Sequence, residues 1–487
     1  MSLNRVIRSS LWLYISGIAA NFLGFIYWLV ATKFVGASVI GDAAAVIGVV
    51  SIVTSVFSLG ISSGITRMLG QAQGKGDKAS MGVILSSAVA LSLTLSGVAA
   101  AVVAVASALY PMPGFEIPFL VVLIFSYGAV PPLQAFYNST LRTSVIALSS
   151  VSASVLRVVL GVLFLYAGWS FEGVMAAYVV SSVTQNLIML AYLRGAIGIT
   201  KPSYQAASES VKVGLPSYLP SLVATAGSWL GVLGVYGFAG NLEAGTYYVA
   251  QVIAYIVYSL PLSLLGLMFP VLSGMEDGRK RATNRATLLT TAIVAPLAAA
   301  VIVYPRIPLS LLGEAYADSS LALQILLLAA FFATIPSGFN SLIYAYGKYR
   351  SVTVLGFAYN VPRIVLYPFL VAIWGENGAA ISYVSGFVVA TLAVSIMSRG
   401  IGYSVGWKQN AAAAAIPLIV SIPLYFLPVP WFAGAVVILA ASAFFYARLG
   451  LIKKSDLAEV SLAFISKSQI QHLQPYARYV LDVLYGK

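Results

Sequence analysis

Apolar stretches of about 20 residues, separated by short polar segments, follow one another along almost the whole chain. Fourteen of them, from 10–34 and 42–70 through to 431–449, are long enough to cross a hydrocarbon core about 30 Å thick. The first stretch is too long for the core of a signal peptide, so it is expected to remain as a helix. The pattern therefore predicts an all-α polytopic membrane protein with about 14 transmembrane helices.

The composition agrees with this class and narrows the chemistry. Hydrophobic residues make up 60% of the chain and charged residues 8%, and the mean hydropathy is +0.94. Cysteine is absent and the single histidine is His472, which leaves no basis for a disulfide framework, a thiolate metal site or histidine-based catalysis. The carboxylates are scattered over short loops, so neither an enzymatic function nor a cofactor or bound metal is expected.

Basic residues occupy every second loop. If the N-terminus is cytoplasmic, the inner loops collect residues such as Lys75, Lys78 and Arg279, whereas the outer side has only Lys33 and Arg306. This asymmetry follows the positive-inside rule, so we expect both termini in the cytoplasm and the chain in the cell (cytoplasmic) membrane. The net charge of +13 then reflects topology and not a nucleic-acid partner. The acidic residues expected on an outer rim are Asp42, Glu116, Glu172, Glu243, Glu314, Asp318 and Glu376.

The first twelve predicted helices contain an internal repeat. Four blocks match in order at nearly one offset: Gly41 with Gly245 at 204, Asn138 with Asn340 at 202, Arg157 with Arg363 at 206, and Tyr178 with Tyr383 at 205. Two parallel six-helix lobes are predicted, at 1–195 and 196–400, followed by helices 13 and 14 at 401–450 and a cytoplasmic amphipathic tail at 451–487. Lobes related by an axis along the membrane normal place a substrate site between them near the midplane.

Two arginines lie in the middle of apolar helices. Arg157 is central in the run 145–167, and Arg363 is central in 352–374. Each lies about 15 Å from either end of its helix, too far to reach the interface easily. A charge at that depth costs roughly 2.5–3.5 kcal/mol and usually faces a bundle interior or an aqueous cavity. Because a guanidinium donates paired hydrogen bonds to phosphate, the two arginines are predicted to line one central cavity and bind an anion there.

Further polar residues lie within or beside the apolar runs. On the helix of Arg363, Asn360 shares its polar face, as Ser154 does beside Arg157. The other candidates for contacts with a substrate, which compete with simple helix-to-helix hydrogen bonding or snorkelling, are Asn138, Asn340, Asn21, Gln134 and Arg67.

Several loop segments carry a family resemblance. The glycine-bearing turn FVGASVIGDAA at 34–44 precedes helix 2, and the run LGISSGITRMLGQAQGKGD at 59–77 follows it. The segment LPSYLPSLVA at 215–224 opens helix 7, predicted at 213–238, and GNLEAGTYYVAQ at 240–251 follows that helix. In these features the chain resembles the polysaccharide transporter family, which includes O-antigen and exopolysaccharide flippases of the multidrug, oligosaccharidyl-lipid and polysaccharide (MOP) exporter superfamily. The resemblance covers helices 1–12. Helices 13 and 14 are similar in position to the extra pair of the lipid II flippases but carry no matching motif.

The resemblance implies a two-lobe exporter that moves lipid-linked, polyprenyl-phosphate oligosaccharide from the cytoplasmic to the outer leaflet by alternating access. Its partners would be the polyprenyl-linked glycan and membrane lipids, and a monomer is expected. A cation-coupled multidrug exporter of the same superfamily remains an alternative, with a membrane glycosyltransferase or polymerase less favoured. A cationic drug site would be expected to contain embedded acids, whereas the membrane runs here contain arginines.

Overall fold

The computed structural model describes residues 3–109, 117–193, 198, 200–454, 456 and 485. These residues are almost entirely helical, and no strand occurs among them. Glu116 and most of the predicted tail at 451–487 lie outside the described residues. In chain order the helices are α1 Leu3–Ala31, α2 Ala37–Phe57, α3 Ile61–Lys75, α4 Lys78–Leu109, α5 Ile117–Ser139, α6 Thr143–Tyr166, α7 Phe171–Leu193, α8 Tyr204–Ala239, α9 Asn241–Gly266, α10 Met268–Gly274, α11 Arg279–Val303, α12 Arg306–Leu312, α13 Ser320–Ala345, α14 Tyr349–Met397, α15 Trp407–Phe426 and α16 Trp431–Arg448, with short 3₁₀ turns at Glu314–Ser319 and Arg399–Ile401.

The helix lengths agree with the hydropathy pattern. Twelve stretches of described residues are long and apolar enough to cross a membrane, and Ser16–Ala31 within α1 is a shorter apolar helix. Helix α14 has 49 residues, more than twice what one crossing needs. Gly375 has φ 52° and ψ −130°, a non-helical conformation that divides α14 into two spans. The predicted all-α, multi-pass membrane protein is therefore confirmed.

The second predicted segment, 42–70, is divided in the structure. Helix α2 ends at Phe57, because Leu59 and Gly60 have positive φ angles of 44° and 72° that no α-helix accommodates. The following helix α3 is amphipathic, with its buried residues at helical spacing, and it ends at Lys75 because Gly76 has a positive φ of 71°. One residue later the Asp77 carboxylate accepts hydrogen bonds from the Ser80 N–H and Oγ, at 2.9 and 2.6 Å, and caps the start of α4.

Two glycines that correspond in the sequence repeat also contact each other in the structure. Helices α2 and α9 cross at Gly41 and Gly245, which are related by the offset of 204. A Cβ added to Gly41 would overlap the carbonyl of Asn241, and a Cβ added to Gly245 would overlap the carbonyl of Ala37. Because Ala37 and Asn241 differ by the same offset, the contact is reciprocal. Small residues at this crossing let the two backbones approach closely, as in other membrane helix pairs.

The chain divides into two compact units. The first comprises Met1–Ile256, Leu309–Ala322 and Thr353–Val389. Part of its core is a cluster in which buried side chains of α3, α5 and α7, such as Leu69, Phe136 and Met189, pack together. The Tyr137 hydroxyl, also buried in this cluster, donates a 2.5 Å hydrogen bond to the carbonyl of Met189. Both Arg157 and Arg363 belong to this unit. The division into lobes at 195 and 400 stays a prediction from the repeat.

The second unit comprises Val257–Pro308, Leu323–Val352 and Ala390–Lys487. In it the final helix pair, α15 and α16, packs on α11 through Leu288, Ala413 and Tyr446. The Tyr446 hydroxyl donates a 2.6 Å hydrogen bond to the carbonyl of Ala413. On the same helix α11, Arg285 forms an ion pair with Asp456, which follows α16. The last two predicted helices are thus held by both apolar packing and a charged contact.

Candidate functional site

Arg157 lies in the middle of α6, where aromatic rings hold its side chain. The guanidinium carbon is 4.8 Å from the centre of the Tyr178 ring on α7 and 5.5 Å from that of Tyr27 on α1. Tyr27 is itself fixed, because its hydroxyl donates a 3.3 Å hydrogen bond to the carbonyl of Val174. Gly24 leaves room on α1, since an added Cβ there would lie 3.3 Å from Arg157 Nη2. The arginine is half-buried, and its buried Nε has no hydrogen-bond partner.

A cavity of about 290 Å³ opens beside this guanidinium. Its wall is formed by small, hydroxyl-bearing and amide side chains with two tyrosines, and it carries no carboxylate: Ala20, Asn21, Tyr127, Ser150, Ala153, Ser154, Arg157, Tyr178, Ser181, Ser182 and Gln185. Arg157 is the only charged group in this lining. A guanidinium at depth, without a neighbouring carboxylate, favours binding of an anion over binding of a cation.

A second, larger cavity of about 540 Å³ lies against the first. The two share Tyr127 and Gln185 in their walls. The larger one, which we call the hydroxyl chamber, is lined by Ser51, Thr54, Ser55, Phe57, Ser58, Ile61, Ser62, Ser92, Ser96, Ala99, Ile124, Tyr127, Gly128, Val130, Pro131, Gln185, Ser221, Thr225 and Trp229. Its lining contains no charged residue.

Arg363, the repeat partner of Arg157, has different surroundings. Its guanidinium carbon lies 3.9 Å from the ring centre of Tyr359, 4.0 Å from that of Tyr383 and 4.7 Å from that of Phe387. The side chain is 1% exposed, and its Nε and Nη2 have no hydrogen-bond partner. The charge is therefore enclosed by aromatic faces, each of which attracts a cation by about 2 kcal/mol when water is excluded.

The repeat explains why one arginine faces a cavity and the other is enclosed. At the offsets of 206 and 205, Tyr359 corresponds to Ala153 and Phe387 corresponds to Ser182. Ala153 and Ser182 both line the cavity of Arg157. Two of the three rings that cover Arg363 are thus replaced by small side chains in the first repeat, and the space they leave is part of the cavity.

A second exchange of large and small residues accompanies the first. In the first repeat Tyr27 on α1 fills the space beside Gly161 on α6, where a Cβ would overlap the ring. In the second repeat the order is reversed, because Tyr367 on α14 fills the space beside Gly231 on α8, within 2.9 Å of an added Cβ. The pairs correspond at offsets of 204 and 206. The Tyr367 hydroxyl then donates a 3.0 Å hydrogen bond to the carbonyl of Gly227 on α8.

Two amides among the sequence candidates are placed near the arginines. Asn21 lines the cavity of Arg157. Asn360 is 6% exposed, and its Nδ2 donates a 2.9 Å hydrogen bond to the Gly356 carbonyl one turn earlier on the same helix. It also packs closely over Gly227, where an added Cβ would lie 2.5 Å from its Oδ1.

The remaining four candidates do not line either cavity. Gln134 is half-buried on α5, Asn138 and Arg67 are exposed, and Asn340 is half-buried in the second unit. Sequence reasoning did not select Tyr127, Gln185 or Ser181, which do line the cavity of Arg157. Gln185, a polar amide within an apolar run, could have been found by the same signal that selected Asn21. Tyr127 gave no such signal.

Glu376, one of the acidic residues expected on the outer rim, is buried in the structure. It is 9% exposed and lies beside the break at Gly375. Its carboxylate accepts hydrogen bonds from Ser319 Oγ at 2.5 Å and Thr246 Oγ1 at 3.2 Å, and its N–H donates to Glu243 Oε1 at 2.7 Å. Partners supplied by the 3₁₀ turn and by α9 therefore bury this carboxylate.

The fold is shared with transporters of the MOP superfamily. The structure is similar to that of the lipid II flippase MurJ in an inward closed conformation, with a TM-score of 0.71 and 14% identity over 90% of this chain and 99% of the other. It is also similar to an inward-facing multidrug resistance MATE family transporter, with a TM-score of 0.63 and 17% identity over 84% of this chain and 99% of the other.

A third similar structure is a MOP superfamily transporter from Pyrococcus furiosus, described as having a binding pocket of reverse polarity. Its TM-score is 0.56, with 18% identity over 84% of this chain and 96% of the other. At these identities the likenesses establish the fold.

The family follows from the sequence itself. No curated protein sequence gives a significant match. A family profile described as "Polysaccharide biosynthesis protein" matches residues 45–321, which is more than half of the 487 residues. The match begins in α2, includes Arg157 and ends in α13. It agrees with the resemblance carried by the loop motifs, and the chain therefore belongs to the polysaccharide biosynthesis protein family.

Proposed function

We propose that this protein is a flippase that moves a polyprenyl-phosphate-linked oligosaccharide from the cytoplasmic to the outer leaflet by alternating access, with Arg157 binding the phosphate. The family membership and the fold shared with the lipid II flippase support the class of substrate. The observation that carries the proposal is the guanidinium of Arg157 beside a polar cavity that has no carboxylate in its wall. Its buried, unpartnered Nε adds a donor that still needs an acceptor.

Phosphate fits this cavity for a geometric reason. A guanidinium presents its N–H donors in a planar fork, which matches two oxygens of one phosphate group. The Asn21 amide lies in the same wall and is a further donor in the proposal. A drug cation would instead meet the like charge of Arg157 with no acid in the lining to offset it. The sign of the charge therefore favours a lipid phosphate over a cationic drug.

Arg363 enters the proposal in a second role. In this conformation three rings cover its guanidinium, so it can bind phosphate only in a conformation from which Tyr359 or Phe387 has moved away. The proposal retains Asn360, Asn138, Asn340, Gln134 and Arg67 as contacts made at other stages of transport. The protein acts in the cytoplasmic membrane with both termini inside, as the basic loops indicate.

The proposal is tested by binding and translocation measured on the same variants. We expect purified wild-type protein to bind citronellyl diphosphate, a short polyprenyl diphosphate. Arg157→Gln should bind it at least about a hundredfold more weakly, because two charge-assisted hydrogen bonds are together worth about 3 kcal/mol or more. Arg157→Lys should recover part of the affinity, since an ammonium keeps the charge but lacks the fork.

The matched control is Arg350→Gln, which removes an exposed arginine in the first turn of α14. It should bind and translocate as the wild type does in proteoliposomes that contain a fluorescent polyprenyl diphosphate sugar. Wild-type affinity in the Arg157→Gln variant would overturn the assignment of the phosphate to this cavity.

A further inference from the structure

The hydroxyl chamber has a particular hydrogen-bonding character. The hydroxyls of Ser51 and Thr54 donate to backbone carbonyls one turn earlier, to Ile47 and Val50, both at 2.7 Å. The hydroxyls of Ser58 and Thr225 do the same at 2.8 and 3.1 Å, to the carbonyls of Ser55 and Ser221. A serine or threonine hydroxyl has one hydrogen to donate, and here that hydrogen is used within the helix. The oxygen lone pairs remain, so these four side chains offer acceptors to the chamber.

The neighbouring cavity also has hydroxyl acceptors, since Ser150 and Ser182 donate to backbone carbonyls one turn earlier at 3.2 and 2.9 Å, but it adds the charged donor Arg157. The Arg157 guanidinium has only donors. The two cavities meet at Tyr127 and Gln185. A ligand that spans them therefore meets a charged donor at one end and an uncharged lining with hydroxyl acceptors at the other. A phosphate group, which only accepts, matches the first, whereas a group rich in O–H donors matches the second.

The chamber also offers an aromatic surface. Trp229 lies in its wall and stacks on Tyr248, with the ring centres 6.2 Å apart and an interplanar angle of 18°. Tyr248 therefore supports one face of the indole and fixes its orientation. A rigid aromatic ring among hydroxyl acceptors is suited to a sugar, which has an apolar C–H face and a rim of hydroxyls.

Charge in the wall limits which sugar can bind. The lining of the hydroxyl chamber has no cation that could pair with a uronic acid. It also has no carboxylate that could pair with an amino sugar. Moving an ionised group from water into such a chamber without a partner is strongly unfavourable. A neutral sugar makes the same hydroxyl contacts without that cost.

We propose that the hydroxyl chamber binds the sugar attached directly to the lipid phosphate, and that this sugar is neutral. The inference rests on the proposed function, since it requires the phosphate at Arg157. In it Trp229 is a specificity-determining residue, and Thr225 and Ser51 accept hydrogen bonds from the sugar hydroxyls.

Three probes separate the sugar from the phosphate: citronellyl diphosphate, citronellyl diphosphate-linked glucose and citronellyl diphosphate-linked glucuronic acid. For the wild type we expect the glucose probe to bind about tenfold more tightly than the diphosphate alone, as one stacking contact and a few hydrogen bonds allow. The glucuronic acid probe should bind no more tightly than the diphosphate alone. Trp229→Leu should abolish the gain from glucose while leaving the affinity for the diphosphate unchanged.

Matched variants make the outcome decisive. Trp169→Leu removes a tryptophan that is 51% exposed on the loop between α6 and α7, and it should keep the full gain from glucose. If Trp229→Leu does not fold, Thr225→Val, which removes one acceptor, should reduce the gain at least threefold. A gain that both chamber variants retain, or tighter binding of the glucuronic acid probe, would overturn the assignment of the chamber. The failure of the proposed function is distinct, because it appears as wild-type affinity of Arg157→Gln for the diphosphate alone.

Discussion

The strongest test of the arginine cavity is to convert the first repeat into the second. We expect Ala153→Tyr combined with Ser182→Phe to fill the cavity beside Arg157 with the two rings that cover Arg363 in its repeat. The substituted positions lie in the wall of the cavity and are themselves 2% and 5% exposed. The new rings therefore extend into the cavity. The guanidinium of Arg157, which is half-buried in the wild type, should become enclosed.

The double variant is expected to lose affinity for the diphosphate while its free energy of unfolding changes little. Two added rings near the distances found at Arg363 would each contribute about 2 kcal/mol of cation–π attraction once water is excluded. Enclosing the charge of Arg157 would cost about 2.5–3.5 kcal/mol. The net change in stability should thus stay within about 2 kcal/mol, whereas a phosphate loses both bonds of the guanidinium fork, about 3–6 kcal/mol. Affinity for citronellyl diphosphate should fall at least about a hundredfold.

The assay is a binding titration on purified, monodisperse protein, with thermal unfolding recorded on the same samples. The control is Val159→Tyr combined with Leu187→Phe, which adds the same rings at positions that are 49% and 60% exposed on the same two helices. The control should bind as the wild type does. A folded Ala153→Tyr, Ser182→Phe variant with wild-type affinity would refute the argument, because the anion would then bind somewhere other than this cavity.

Three further predictions follow from the same contacts. Replacing Arg363 with Met should lower the thermal unfolding temperature more than replacing Arg157 with Met. The guanidinium of Arg363 loses contacts with three close rings, whereas that of Arg157 loses contacts with two more distant ones. Equal shifts of the unfolding temperature would contradict the difference between the two sites. Gly161→Ala should destabilise the protein by about 1–3 kcal/mol through overlap with Tyr27, whereas Gly356→Ala, where an added Cβ meets open space, should not; denaturation in detergent compares the two. Finally, translocation should follow membrane potential, since 100 mV acts on each phosphate charge with about 2.3 kcal/mol, roughly fiftyfold. In liposomes with the potential set by potassium and an ionophore, transport that ignores potential but starts with a proton or sodium gradient would show that a coupling site exists.

Much of the fold could be predicted from the sequence because it depends on local and periodic signals. In a bilayer every backbone polar group must be satisfied within the protein, so an apolar run of about 20 residues is almost obliged to be a helix. The repeat could be found because Gly41 and Gly245 occupy a crossing that admits only small residues, and Arg157 and Arg363 are rare charges at matching depths. The break at Gly375 falls directly after the predicted run 352–374, whereas the break after Phe57 lies inside the predicted segment 42–70, because it depends on the backbone conformation of single residues.

The sequence by itself determined that there are two similar repeats, each with an arginine in the middle of an apolar run. Only the tertiary structure decided that the two arginines differ. The residues responsible, Tyr359 and Phe387 against Ala153 and Ser182, are separated along the chain, and each is unremarkable in an apolar helix. Their effect arises because packing brings two helices together around one guanidinium, and enclosure depends on the combined volume of all the neighbouring side chains. A local pattern can place a charge at a given depth, but whether that charge meets a cavity or a ring is a property of the packed helices.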